Sequence, residues 1–187
     1  GAVCRMSIVS SNTQEGLGYE VQFEDGAIAG PKPVQRLRGT TVSCRDLFYN
    51  VPARKKFMKS RNAERMAVLR TLEQMVIPYP SVHFSVWIEG KKALETPVVD
   101  SPRERIGQVA GPEFAKKLIT CTNAERSMSA TIYITPPPDA APRPRFQYLY
   151  VNLRRVDSDQ VTWAVRKSFK KFITGQLRPA WFCFLEI

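Results

Sequence analysis

Two clusters of cations are the residues of this chain best suited to chemistry, and the chemistry they suit is neutralising a polyanion. The first is Arg54, Lys55, Lys56, Lys59 and Arg61, in a stretch from 52 to 70 that carries seven cations against the single acid Glu64. The second is Arg154, Arg155, Arg166, Lys167, Lys170 and Lys171. Lys and Arg number 28 in the 187 residues against 17 Asp and Glu, a formal net charge of +11, so nucleic acid is the first partner implied. If both clusters line one groove they neutralise about 6 to 10 phosphates, and affinity then falls roughly a thousandfold or more between low and moderate salt. Neither cluster has the Asn, Gln and Arg arrangement that reads base edges, so the expected binding is independent of sequence. On charge alone, a solvated basic face is the alternative.

Other chemistries are poorly supplied. Cys4, Cys44, Cys121 and Cys183 stand apart without C-x-x-C spacing, so neither a metal site nor a disulfide framework is expected. His83 is the one histidine and alternates out of phase with the apolar residues of 82–88. It reads as a solvent-side strand residue without a local partner, not as a base. No stretch approaches the roughly 20 apolar residues of a membrane span, and no basic-then-apolar leader opens the chain. A soluble protein with no membrane partner is expected, and 43% hydrophobic content suffices for one large or two small cores.

Ordered elements must position these cations. Residues 2–10 and 19–23 read as strands, with Asp25-Gly26 as a turn. Gly30-Pro31-Lys32-Pro33 reads as a loop, and 34–38 leads into a strand over 41–48 rich in β-branched and apolar types. Asn50 and Pro52 stop that strand, because proline fixes its own φ and pushes Val51 out of the helical region; a helix can start just beyond. A helix over 62–77 directs Met66, Leu69, Leu72 and Val76 inward and ends at Pro78-Tyr79-Pro80, where a domain boundary is placed. A hairpin follows, with 82–88 and 93–96 around Glu89-Gly90-Lys91-Lys92. Ser101 and Pro102 start a short helix over 103–109, Gly111-Pro112 breaks it, and 113–118 forms another turn or two.

Strands over 128–134 and 146–152 flank a proline-rich loop at 136–144. A helix over 159–175 places Val161, Val165, Phe169 and Phe172 on one face and Arg166, Lys167, Lys170 and Lys171 on the other, with Gly175 as its cap. The chain stops in a strand over 180–187 with no closing turn, which points to truncation. Phe48, Tyr49, Phe57, Tyr148 and Tyr150 flank the two clusters and are assigned to packing, stacking on single-stranded bases being the alternative. Trp87, Trp163 and Trp181 are also assigned to packing.

The run Gly39-Thr40-Thr41-Val42-Ser43-Cys44-Arg45-Asp46-Leu47-Phe48-Tyr49-Asn50-Val51-Pro52-Ala53-Arg54-Lys55-Lys56-Phe57-Met58-Lys59 resembles the signature of the MutL family of DNA mismatch-repair ATPases. Phe146-Gln147-Tyr148-Leu149-Tyr150-Val151-Asn152-Leu153-Arg154-Arg155-Val156 resembles the strand and Val-Asn-x-Arg motif leading into the crossover helix of that family's transducer domain. The likeness covers almost the full length. There are departures: family members often have glycine where Leu153 stands, and a basic residue where Asp157 or Asp159 stands, so no DNA contact is assigned to those acids.

The resemblance implies an α+β fold. Residues 1–79 would be the end of a GHKL (Bergerat-type) ATPase sandwich, and 80–187 a ribosomal-protein-like βαβ transducer, truncated before its last strand and catalytic lysine. It also implies ATP binding and slow hydrolysis with Mg²⁺ in a longer parent. That parent dimerises with a second MutL-type subunit and clamps DNA. It relays recognition by a MutS-type protein to strand incision and removal, in a bacterial cytoplasm or eukaryotic nucleus. Gly39 and Thr40 match the family's fourth ATP-site motif, in which the threonine hydroxyl supports the adenine-binding water network; taken alone, the pair is an ordinary strand start. The family's general base, metal ligand and phosphate loop have no counterpart in these residues. No catalytic or metal-ligating residue is therefore assigned, tight ATP binding is not expected of this segment, and hydrolysis is expected of the parent only.

Arg54 has a competing structural role, pinning the carbonyls of the Pro-Ala turn or an acid such as Asp46. Two other classes stay open. One is a basic RNA-binding module of ribosomal-protein-like fold. The other is the matching region of another GHKL ATPase, such as a type II topoisomerase subunit or a heat-shock chaperone. The run at 46–54 favours the MutL resemblance over both.

Overall fold

A computed structural model describes residues 2–173 and 175–187. The chain divides into two compact units, Gly1–Glu64 and Arg65–Ile187.

The first unit is a four-stranded antiparallel sheet in the order β3-β2-β1-β4, formed by β1 (Arg5–Ser11), β2 (Leu17–Glu24), β3 (Ala27–Gln35) and β4 (Gly39–Arg45). Asp25 and Gly26 join β2 to β3 with φ of 48° and 81°, the paired left-handed conformation of a two-residue hairpin. The expected loop at Gly30-Pro31-Lys32-Pro33 is instead part of β3. Proline cannot donate to a ladder, but β3 is an edge strand whose outer side needs no donor, so the prolines are tolerated there.

The strand expected over 41–48 ends at Arg45, since Asp46 and Phe48 take left-handed φ of 52° and 60°. That sharp turn is fixed by partners distant in sequence. Arg5 donates to Glu24 at 2.6 Å and to Asp46 at 2.9 Å, and its guanidinium lies 4.5 Å from the Tyr49 ring centroid. The Tyr49 hydroxyl donates to Asp25 at 2.6 Å, Asn50 donates to the Ala2 carbonyl and to Asp25, and the Phe48 amide donates to Val3. Pro52 then opens α1 (Pro52–Lys56), and Ser60 caps α2 (Arg61–Val76) by accepting from the Ala63 amide at 3.3 Å.

The second unit begins with the hairpin of β5 (Phe84–Ile88) and β6 (Lys91–Thr96), turning at Glu89-Gly90. Next come α3 (Pro102–Ala110), capped by Ser101, and α4 (Pro112–Lys117). A five-stranded sheet in the order β10-β9-β11-β8-β7 completes it. Its strands are β7 (Ile119–Glu125), β8 (Met128–Ile134), β9 (Gln147–Val151), β10 (Arg154–Val156) and β11 (Trp181–Glu186). β9 and β11 are parallel, with α5 (Asp159–Phe169) between them in sequence, so the expected βαβ unit is present.

Alternation along β11 divides two cores. Trp181, Cys183 and Leu185 join Leu149, Ile134 and the α5 residues Val161, Val165 and Phe169, while Phe182 joins Ile77, Ile106, Leu118, Phe146 and Tyr150. The Tyr150 hydroxyl donates to the Gln74 carbonyl at 2.9 Å, and Arg145 pairs with Glu73, so the second half of α2 is tied to this unit.

One strand was not expected, and the helix before β11 is shorter than expected. The strand β7 had no sequence signal, because every residue in it is exposed on the sheet edge and no alternation arises. α5 stops at Phe169 rather than reaching Gly175: the Lys170 amide is shared between the Arg166 and Lys167 carbonyls and the Phe172 amide reaches Phe169, a tightening that unwinds the helix. Phe172 is accordingly exposed, not on the buried face.

The turn between β9 and β10 holds two non-glycine residues in the left-handed region. Asn152 and Leu153 have φ of 45° and 65°, and a leucine there carries steric strain that glycine avoids. We expect Leu153→Gly to stabilise the second unit by roughly 0.5–1 kcal/mol, read as a raised urea midpoint at unchanged slope. A lowered midpoint would show that the half-exposed Leu153 side chain contributes more packing than its backbone costs.

Candidate nucleic-acid interface

Both cation clusters are presented to solvent, the first on and beside the short helix α1 and the second along α5. Arg54, Lys55 and Lys56 form the last turn of α1, where positive charge also suits the carbonyl end of the helix. Lys59 follows in the connecting loop, its amide donating to Glu64 at 2.8 Å, and Arg61 opens α2. Among the described residues, the side chains of Arg54, Lys55, Lys56 and Lys59 have no acid partner. The acid Asp46, which Arg54 was a candidate to hold, is held by Arg5. Phe57 stands 86% exposed beside this cluster, contrary to the packing expected of it.

In the second unit α5 is the platform. Ser158 caps it by accepting from the Val161 amide at 3.3 Å, and Val161, Val165 and Phe169 bury its inner face. Arg166, Lys167 and Lys170 project from the outer face, with Lys171 just beyond. Trp163 shares that outer stripe at positions i, i+3, i+4 and i+7 with Arg166, Lys167 and Lys170. It is 60% exposed, and the Lys167 ammonium lies 4.7 Å from its ring centroid. The packing role expected of Trp163 is therefore corrected, as is that of Trp87, which is also exposed. The expectation held for Trp181 and Tyr150, both buried.

Arg154 is exposed on β10, but its neighbour Arg155 is committed locally. Arg155 pairs with Asp157 at 2.7 Å, donates to the Val156 carbonyl, and stacks 5.1 Å from the Tyr148 ring centroid. It holds the β9–β10 end more than it offers charge to a ligand.

Gly39 opens β4 opposite Ser11, and Thr40 lies opposite Ser10, their hydroxyls sharing a hydrogen bond of 2.8 Å. His83 is exposed as expected, yet it has the partner that the sequence concealed: Glu95, 3.4 Å away across the hairpin. The four cysteines are free thiols, and burial together with a hydrogen bond to Cys44 raises the pKa of Cys4 above its ordinary value. Among the described residues no group of three or more His, Cys, Asp or Glu side chains gathers as a metal site.

Comparison with known proteins decides the family. Residues 106–187 match the family described as DNA mismatch repair protein, C-terminal domain. The chain is 30% identical to the DNA mismatch repair protein MutL of Thermodesulfovibrio yellowstonii over 185 residues, covering 99% of this chain and 33% of that protein. It superposes on the Aquifex aeolicus MutL ATPase domain complexed with ADP with a TM-score of 0.72 at 26% identity, covering 98% of this chain and 68% of that one. The chain belongs to the MutL family.

It spans about a third of the length of the curated MutL relatives it matches. The B-subunit of DNA gyrase from Myxococcus xanthus shares the fold at a TM-score of 0.54 and 14% identity, covering 98% of this chain and 57% of that one. That likeness supports the GHKL ATPase architecture and leaves MutL as the better-supported family over the type II topoisomerase alternative. The MutL signature run is, in this structure, largely a folding device: Asp46, Tyr49 and Asn50 all bind within their own unit.

Proposed function

We propose that this chain is the part of a MutL-type mismatch-repair protein that holds DNA without regard to sequence, through the α1 cluster Arg54, Lys55, Lys56, Lys59 and Arg61 and the α5 cluster Arg166, Lys167, Lys170 and Lys171, with Arg154 adjoining. The observation that carries this reading is that these cations stand exposed on or beside α1 and α5, and that, among the described residues, Arg54, Lys55, Lys56 and Lys59 have no acid partner. A merely solvated face would more often be laced with ion pairs.

In the longer protein, ATP with Mg²⁺ would supply the phosphoanhydride whose hydrolysis times the cycle. The residues present here fit only an edge of that site: Gly39 frees the strand start, and Thr40 and Ser10 offer hydroxyls. Turnover is proposed for the longer protein and not for these residues alone. A second MutL-type subunit, a MutS-type recognition protein and a bacterial cytoplasmic or nuclear location complete the reading.

The test is fluorescence anisotropy of the chain on labelled DNA of mixed sequence, across a salt series. If about 6 to 10 phosphates are neutralised, the plot of log affinity against log salt has a slope near −5 to −9. A slope shallower than about −2, or no binding at low salt, would overturn the reading.

A further inference from the structure

Two thiols of the first unit stand together although the sequence keeps them far apart. Met6 of β1 lies opposite Cys44 of β4, and Arg5 lies opposite Arg45. Side chains two residues apart on a strand share a face, so Cys4, one residue before β1, falls diagonally across from Cys44 on the same side of the sheet. The chain is held there from both directions: the Phe48 amide donates to the Val3 carbonyl at 2.7 Å, and Arg5 donates to Asp46 at 2.9 Å. The two thiols are hydrogen-bonded to each other. Cys44 is exposed, whereas Cys4 is buried. A small oxidant in solvent therefore reaches Cys44 first, and Cys4 lies against it as a second sulfur. The other two cysteines are arranged differently. Cys121 of β7 and Cys183 of β11 both lie opposite Ile132 of β8, so two inter-strand spacings, about 9.5 Å, keep them apart.

We propose that Cys44 and Cys4 form an oxidation site for hydroperoxides, Cys44 as the attacking thiol and Cys4 as the resolving one, with a reversible Cys4–Cys44 disulfide as the product. The Cys44 thiolate attacks the outer peroxide oxygen, the O–O bond breaks, and the released alkoxide or hydroxide takes up the Cys44 proton. Cys44 is then a sulfenic acid. The Cys4 sulfur attacks the Cys44 sulfur, the S–O bond breaks, and the Cys4 proton leaves with the hydroxyl as water. Together the two thiols give up two electrons and two protons, and the hydroperoxide is reduced to an alcohol and water. The bond ties β1 to β4 at the entry to the turn that carries α1. It also closes a loop through β2 and β3, a span whose crosslinking restricts the unfolded chain and favours the folded sheet. Cys121 is exposed without a second sulfur beside it, so it serves as an internal comparison.

The experiment treats the folded chain in dilute solution with hydrogen peroxide, with and without dimedone as a sulfenic-acid trap, then alkylates in urea and digests with trypsin. Cleavage at Arg5, Arg38 and Arg45 places Cys4 in the peptide 1–5 and Cys44 in the peptide 39–45. The expected product is these two peptides linked, lighter than their sum by the two hydrogens lost, with both thiols restored by dithiothreitol. Because Cys4 intercepts the sulfenic acid, dimedone should label Cys44 at least roughly tenfold less in the wild type than in Cys4→Ser. Should Cys4→Ser fail to fold, Cys44→Ser at the exposed position supplies the second arm: Cys4 should then survive peroxide as a free thiol. Equal dimedone labelling of Cys44 in the wild type and Cys4→Ser would overturn the inference. So would oxidation of Cys4 in Cys44→Ser, or a spread of linked peptides over all pairings of the four cysteines. The site lies apart from the cation clusters, so none of these outcomes bears on the proposed DNA binding.

Discussion

Replacing Arg105 with methionine is expected to cost the second unit about 3 kcal/mol, a large share of the roughly 5–15 kcal/mol by which a domain is stable. Arg105 lies in α3 with no exposed surface. Its guanidinium donates to the carbonyls of Thr96 at 2.8 Å, Pro80 at 2.8 Å, Val82 at 2.6 Å and Tyr79 at 3.2 Å. Among the described residues it has no carboxylate partner, and burial pushes its pKa below the usual arginine value. One side chain thus ties a helix to the loop at 79–82 and to the end of β6.

The four carbonyls do not suffer equally when it is removed. Tyr79 and Pro80 also accept from the amides of Val82 and Val99, so they keep a partner, and the cost falls less on them than on Val82. Methionine preserves much of the volume, so the measured loss reports the hydrogen bonds and not a cavity. Arg105→Lys is expected to lose nearly as much, because a point ammonium cannot span a fan of carbonyls that the planar fork reaches at once. Arg103→Ala on the same helix is expected to cost only about 1 kcal/mol, since it leaves a single carbonyl, that of Ala115, and the Thr120 hydroxyl. Urea titration followed by tryptophan fluorescence separates these. A loss below 1 kcal/mol for Arg105→Met would mean that water satisfies the cage in place of the guanidinium.

Arg105 also shows what was legible in the sequence and what was not. The helix over 103–109 was legible from Ser101 and Pro102, but nothing local named the carbonyls that Arg105 would meet. These come from residues up to 26 positions away. The same limit applies to Arg5, whose hold on Glu24 and Asp46 closes the signature turn from 19 and 41 residues away. Local chemistry was read well where one rule dominated: the Asp25-Gly26 hairpin, the Ser101 cap, and the clean alternation of β5. It failed where position in the sheet overrode propensity, as with the prolines of β3 on one edge and the featureless β7 on another. The cation clusters were legible as charge. The role of Trp163 was also within reach, since its spacing with Arg166, Lys167 and Lys170 marks a surface stripe and not a core.

Charge reversal resolves which cluster carries DNA. Lys55→Glu, Lys56→Glu and Lys59→Glu together remove about three phosphate contacts and add three repulsions, so the salt slope should flatten by about 2.7 and low-salt affinity fall by on the order of a hundredfold. The same three reversals at Arg166, Lys167 and Lys170 should do as much if α5 is an equal partner. All six residues are exposed, so each reversal should move stability by no more than about 0.5–1 kcal/mol, and a urea midpoint measured beside the binding separates a lost contact from unfolding. The two triple variants then form a cycle. If the clusters contact DNA as independent surfaces, the losses add in free energy. If both must engage one duplex together, either triple alone should remove nearly all the avidity that linkage provides, and the sixfold variant should bind little worse than each triple. A triple variant that keeps wild-type affinity and slope identifies its cluster as a solvated face, and the DNA-binding reading then rests wholly on the other.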